Sequence, residues 1–222
     1  MNTKKIQPLM VNVGCGPIGH DDWINVDYGL LAFIHRFSFL EKIAIKLGVL
    51  PKSYQLKWPK NLRIHNSRKG LNFLVSDSVD FIFTSHFLEH IKRYEVMHFL
   101  RSAKRCLKSG GVLRVVLPDI NLVVKKYLEN PTSHEKIDEI NDHFFGTIVQ
   151  STEKPSFIER IKFLFMRGHQ WMYTPEYFID MVVMAGFDKD KIEIQQYKTG
   201  KVPNIDVLDY HADHSFFIEI TK

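Results

Sequence analysis

Cysteine is almost absent. Cys15 and Cys106 are the only two in 222 residues, and neither belongs to a C-x-x-C pair. A multi-bridge disulfide framework and a structural zinc ribbon are both excluded, and a reducing compartment fits best. Long apolar runs are missing as well. The longest, such as Leu30-Leu31-Ala32-Phe33-Ile34, hold about five residues, far short of the roughly 18 that span a bilayer. Lys4 and Lys5 are followed by Gln7, Pro8 and Asn12, which interrupt any signal-peptide core, so a cytoplasmic location is expected. Nor is there a block of like charge. Lys and Arg total 30 against 25 Asp and Glu, a net charge of +5, and the basic residues are scattered. No nucleic-acid partner is expected from so weak an electrostatic footprint. What the chain does have is core material: 45% hydrophobic and 13% aromatic residues. The length fits a single domain over 1–222, with no internal repeat.

Seven short β-type runs alternate with helical patterns, which predicts an α/β fold around a mostly parallel sheet. The runs are Leu9–Val13, Trp23–Val26, Leu62–Ile64, Val79–Phe83, Val112–Leu117, Lys191–Tyr197 and Phe216–Ile220. The last two are close in sequence and are expected to pair antiparallel, because parallel neighbours need a crossover. Apolar residues at 30, 33, 34, 37, 40, 44 and 47 form a 3.6-period stripe and predict one helix, stopped by Gly48 and Pro51. Tyr94–Leu107 predicts another, with Lys104, Arg105 and Lys108 at its C-terminal end. Ser156-Phe157-Ile158-Glu159 reads as a capping box opening a helix to about Met166. Thr174-Pro175-Glu176 reads as a helix start, with Gly186 as its stop. Helical insertions are expected at about 30–60 and 121–170. Their apolar faces carry neighbouring basic residues, so besides packing on the core they suit weak contact with an anionic membrane surface, which would place the protein at the inner face of the membrane.

The first run ends in Gly14-Cys15-Gly16-Pro17-Ile18-Gly19, which satisfies the spacing G-x-G-x-x-G. Only Pro17 to Asp22 separate Gly16 from the next run, too few for a crossover helix. Asp27 follows Gly14 by 13 residues, closer than the acid of a nicotinamide site, so that cofactor is disfavoured. Asp27 nevertheless ends a strand on the side where open α/β sheets bind ligands, and its carboxylate can accept two hydrogen bonds from a ribose diol. A turn or capping role is the plainer alternative.

Four blocks in register resemble the class I S-adenosylmethionine-dependent methyltransferases, and within them the small bacterial methyltransferase type 11 group. They are Val11-Asn12-Val13-Gly14-Cys15-Gly16-Pro17 with Trp23-Ile24-Asn25-Val26-Asp27, then the run Asp77 to His90, then Cys106 to Asp119, and finally Gly168-His169-Gln170-Trp171-Met172-Tyr173 with Ala185-Gly186-Phe187. The resemblance implies a Rossmann-like, doubly wound, seven-stranded sheet and S-adenosylmethionine as co-substrate. It implies cofactor contacts from Asn12, Gly14, Cys15, Gly16, Asp27, Asn66, Ser85 and His86. Asn66 departs from the pattern by standing where relatives carry an acid. The acceptor is left open among a glycan hydroxyl, a small metabolite, a lipid headgroup and a protein side chain, with a small molecule or glycan favoured; because His86 and Asp119 follow buried strands at their C-terminal ends, it is expected to dock between them and the segment around His169. His86, His169 and Asp119 are the catalytic candidates, with His86, His90 and His169 as the candidate bases.

His86-Phe87-Leu88-Glu89-His90 also spells H-x-x-E-H, the inverted zincin pattern. On a helix its two imidazoles would bind zinc, with Glu89 as the base of a hydrolase. No third ligand stands at a recognisable spacing, so no metal is expected. A non-catalytic module that keeps the fold is the remaining alternative, with Asn66 as its support.

Overall fold

The computed structural model describes residues 7–48, 58–59, 61–145, 154 and 168–222. Its seven strands are β1 (Met10–Val13), β2 (Ile24–Asp27), β3 (Leu62–Ile64), β4 (Val79–Ser85), β5 (Leu107–Pro118), β6 (Ile192–Gln195) and β7 (Ser215–Thr221). They form one sheet in the order β3-β2-β1-β4-β5-β7-β6. The first five pair in parallel, while β7 runs antiparallel to both β5 and β6. The expected mixed sheet is therefore present. β4 and β5 run longer than the apolar runs that announced them, because polar Thr84 and Ser85 are buried between neighbouring strands and continue the ladder.

Central strands of a parallel sheet are covered on both faces and need apolar residues on both. Val11, Val13, Ile82, Leu113 and Val115 supply one face with Phe99, Leu100 and Ala103 of helix α3 (Arg93–Cys106) and with Phe178 and Val182 of a later helix. Trp23, Phe83, Val116 and Phe217 supply the other, under Val202 and Leu208. The later helix spans Pro175–Met184, opened as expected by Thr174, whose hydroxyl accepts from Tyr177 N. Thr174→Ala should cost about 1 kcal/mol of stability in a urea titration, the usual effect of losing an N-cap.

The single helix expected over the 30–47 stripe is two: α1 (Leu30–Arg36) and α2 (Ser38–Lys46), broken at Phe37 with φ −118° and ψ 83°. Periodicity reports a stripe but not what covers it. Among the described residues of these helices only Ala32 is buried, against Cys15 and Leu62. His35 stacks on Trp58 at 5.5 Å and meets Glu41 at 3.5 Å, which fixes the bend. Phe33, Phe37, Phe39, Leu40, Ile43 and Leu47 remain exposed, Leu47 by 65%. After β5 the insertion contributes α4 (Ile120–Glu129) and α5 (His134–Phe145). The helix expected from Ser156 lies outside the described residues. The 175–184 helix is α6, and a short α7 (Ile205–Leu208) precedes β7.

Candidate active site

The C-terminal ends of β1, β2, β4 and β5 share one edge of the sheet, and the glycine loop leaves β1 there. Gly14 has φ +68° and Gly16 φ +50°, the left-handed region that a side chain disfavours. A Cβ on Gly14 would stand 2.6 Å from Cβ of Phe87, so the β1 loop and the β4 loop touch only because Gly14 has none. A Cβ on Gly16 would meet nothing within 4 Å, so this side of the loop is open. Asp27 lies directly behind it. Gly16 N donates to Oδ2 at 2.7 Å and Tyr28 N to Oδ1 at 2.6 Å. Burial raises its pKa, and these two amides only partly offset that. Each oxygen has accepted once and retains capacity for a second bond. An open glycine face beside such a carboxylate fits a ribose-bearing cofactor.

The other cofactor-side candidates fall into different places. Asn12 is turned inward: its amide donates to Ile18 O and to Oδ1 of Asn25. Asn25 in turn donates to Asn61, His20 O and Trp23 O, so this amide network replaces a crossover helix in holding the β1–β2 connection. Cys15 is buried, and burial followed by the charge of Asp27 pushes its thiol up, which makes it inert. Asn66 spends its oxygen on Arg68 Nε. Ser85 is buried with its hydroxyl unpaired among the described residues.

Beyond β4 the backbone turns sharply. His86 has φ +49°, unusual for a side-chain-bearing residue and a mark of a constrained site. Its Nε2 pairs with Ser215 Oγ at 2.9 Å, and its Nδ1 stands 3.3 Å from Oε1 of Glu89. Glu89 is fully buried on a single 3-10 turn, Leu88–His90. Neither of its oxygens has a well-aligned hydrogen bond among the described residues. Burial opposes its ionisation, but His86 and His90 outweigh burial and hold the carboxyl below the usual range. His90 Nε2 is 3.9 Å from the same oxygen. The loop from Gly168 is tied to this turn, with Gln170 N and Trp171 N both donating to Glu89 O. That tether brings His169 against His90, ring centroids 4.7 Å apart. Burial lowers the His169 pKa despite the opposing charge of Glu89, so the ring is neutral near pH 7.

Two of the three catalytic candidates, His86 and His169, thus meet around Glu89. Asp119 serves as N-cap of α4, accepting from Asn121 N, and its backbone bridges to Tyr173. Tyr173 is buried in the core, and Trp171 lies under the Arg93 guanidinium at 4.7 Å. The inverted zincin geometry is not formed: the motif occupies a strand end and a 3-10 turn, not a helix with two imidazoles on one face.

Residues 57–115 match the family model described as a methyltransferase domain. The whole chain is similar in fold to an S-adenosylmethionine-dependent methyltransferase from Archaeoglobus fulgidus, at 14% identity and a TM-score of 0.51, covering 98% of this chain and 87% of that one. It is similar also to one from Methanosarcina mazei, at 16% identity and a TM-score of 0.50, covering 97% and 93%. The chain shares the fold of these methyltransferases. A sequence comparison with curated proteins finds no match.

The segment between α7 and β7 brings further residues to this edge of the sheet. Tyr210 stacks on His86 at 5.6 Å, with His211 at 4.7 Å and His214 at 5.6 Å from the same ring. Burial pushes the Tyr210 pKa up to about 12. Burial, reinforced by His86 and His214, takes His211 down to about 4. The density of histidine and aspartate in Asp209-Tyr210-His211-Ala212-Asp213-His214, just before a strand, was the available signal.

Proposed function

We propose that this domain binds S-adenosylmethionine over the C-terminal ends of β1, β2 and β4 and transfers its methyl group to a hydroxyl of a small molecule or glycan. The observation that carries this reading is the pairing of Asp27, with acceptor capacity to spare, and the open face of Gly16. The cofactor supplies an activated methyl group on its sulfonium sulfur. The chain then has only to position, to exclude water and to dispose of a proton. Asp27 accepts from the ribose hydroxyls, and Gly14 and Gly16 let the chain pass close beneath the methionyl part. Tyr210 and Phe87 border the acceptor side. The acceptor enters toward His86, Glu89, His90 and His169. Asp119 acts there through α4 and the Tyr173 bridge, not by direct contact.

Calorimetry with S-adenosylhomocysteine should show one-to-one binding by the protein. Its failure would sink the methyltransferase reading, while binding without label transfer to any fraction of a cell extract would favour the non-catalytic alternative.

The exposed face of α1 and α2 supports contact with an anionic membrane surface. Its rings and aliphatic side chains stand beside Arg36, Lys42 and Lys46, the combination that partitions into a charged interface. The protein should cosediment with vesicles containing phosphatidylglycerol and not with phosphatidylcholine alone, and Phe37→Ser with Phe39→Ser should abolish it. Equal sedimentation of the double variant would remove this face from the contact.

A further inference from the structure

We infer that Glu89, His90 and His169 form a binding site for one divalent first-row transition-metal ion, beside the crevice assigned above to methyl transfer. One donor atom from each residue lies within 4.8 Å of those of the others. Donors around such an ion, at about 2.1 Å each, stand roughly 3–3.5 Å apart, so modest side-chain rotation closes the set. Three independent features favour an ion over a merely structural cluster. First, the Glu89 carboxylate is wholly buried and, among the described residues, neither oxygen has a well-aligned hydrogen bond, His86 Nδ1 approaching Oε1 only to 3.3 Å; so poorly partnered a buried carboxylate is costly, and a cation is what discharges that cost. Second, His90 Nδ1 is also buried and unpaired among the described residues, so this ring is held without the partners a structural histidine normally finds. Third, His169 Nδ1 bonds the His143 carbonyl as donor. That fixes the tautomer and leaves Nε2 with its lone pair free, the arrangement found for metal-ligating histidines. The carbonyl comes from α5, so the insertion itself aims the ligand.

His86 is not in the set. Both of its nitrogens are engaged, with Ser215 and Glu89, and it acts as a positioning residue for the carboxylate. Two imidazoles and one carboxylate suit Zn(II), Co(II), Mn(II) or Fe(II), and occupy three positions of the ion. The rest are left for water or for an oxygen of the acceptor. Binding of the ion stands alone; its role toward an acceptor rests on the methyl-transfer reading.

The test uses untagged full-length protein dialysed against chelator, titrated with Co(II) by visible absorption and with Zn(II) and Mn(II) by calorimetry. One equivalent of ion is expected for at least one of the three, with a ligand-field spectrum if cobalt binds. Affinity should fall on the order of 100-fold or more in His169→Ala and in Glu89→Gln, and stay unchanged in His98→Ala, an exposed histidine on α3. Circular dichroism identifies any variant that fails to fold, in which case the wild-type stoichiometry and spectrum decide. No one-to-one binding of any of the three ions by wild type, or affinity unchanged in both ligand variants, overturns the site. Parallel calorimetry with S-adenosylhomocysteine separates the two readings: homocysteine-nucleoside binding without the ion retires the metal alone, and ion binding without the nucleoside retires methyl transfer alone.

Discussion

Arg114→Met should destabilise the fold by about 3–5 kcal/mol, the cost of leaving buried charges without their partner. Arg114 sits in the middle of β5 with no solvent exposure. Its Nε donates to Asp209 at 3.0 Å and its Nη1 to Glu219 of β7 at 3.0 Å, while Thr199 O and Gln196 O take further bonds. Both acids also accept backbone amides, Asp209 from Lys198 and Glu219 from Lys201 and Val202. One side chain therefore joins β5, β7 and the 196–202 loop. Removing it strands two carboxylates in a dry interior. Replacing all three charged residues with apolar ones should recover much of the loss, because a well-packed apolar cluster substitutes for a buried ion network. Urea denaturation of the single and triple variants measures both. A single variant as stable as wild type would show that water reaches the acids.

Asp27→Ala should weaken S-adenosylhomocysteine binding by about 10- to 100-fold, equivalent to losing about 1.5–3 kcal/mol of hydrogen bonding to a charged acceptor. The ribose contact needs the ionised carboxylate, whose pKa burial has raised. Protonation therefore sets in at a higher pH than the ~3.9 of a free aspartate. Affinity should accordingly decline on acidification before an ordinary carboxylate titrates, and the decline should be missing in Asp27→Ala. Calorimetry across pH reads both effects, and a flat profile in wild type would remove Asp27 from the contact.

The strand positions and the glycine loop were legible because they depend on local signals: apolar runs of strand length, a Gly-x-Gly at a strand end, an acid closing the next strand. The antiparallel β6–β7 pair followed from their short separation. The histidine cluster beyond β4 was less legible because its parts come from remote segments. His169 reaches Glu89 only through backbone bonds from Gln170 and Trp171, and His211 and His214 reach His86 only because β7 lies beside β5. No spacing rule encodes such meetings. Asn12 shows another limit. The resemblance implies it as a cofactor contact, and the fold adds what no motif encodes, that its side-chain amide donates to Asn25 and Ile18. The bend at Phe37 was hidden too, since a helical stripe looks the same whether it is continuous or hinged.

The place of β7 has a consequence for how the chain is made. It inserts between β5 and β6, yet it follows both in sequence, pairing Val112 with Thr221 and Pro118 with Ser215. During synthesis β5 consequently emerges with one edge unsatisfied, and β6 emerges with nothing to pair against. An open edge of this kind invites pairing with another chain. Arg114 and the polar residues around it wait in the same interval without Glu219. The nascent chain thus carries its most association-prone surface until residues 215–221 leave the ribosome, and closure of the sheet is a late, long-range event of the slow kind.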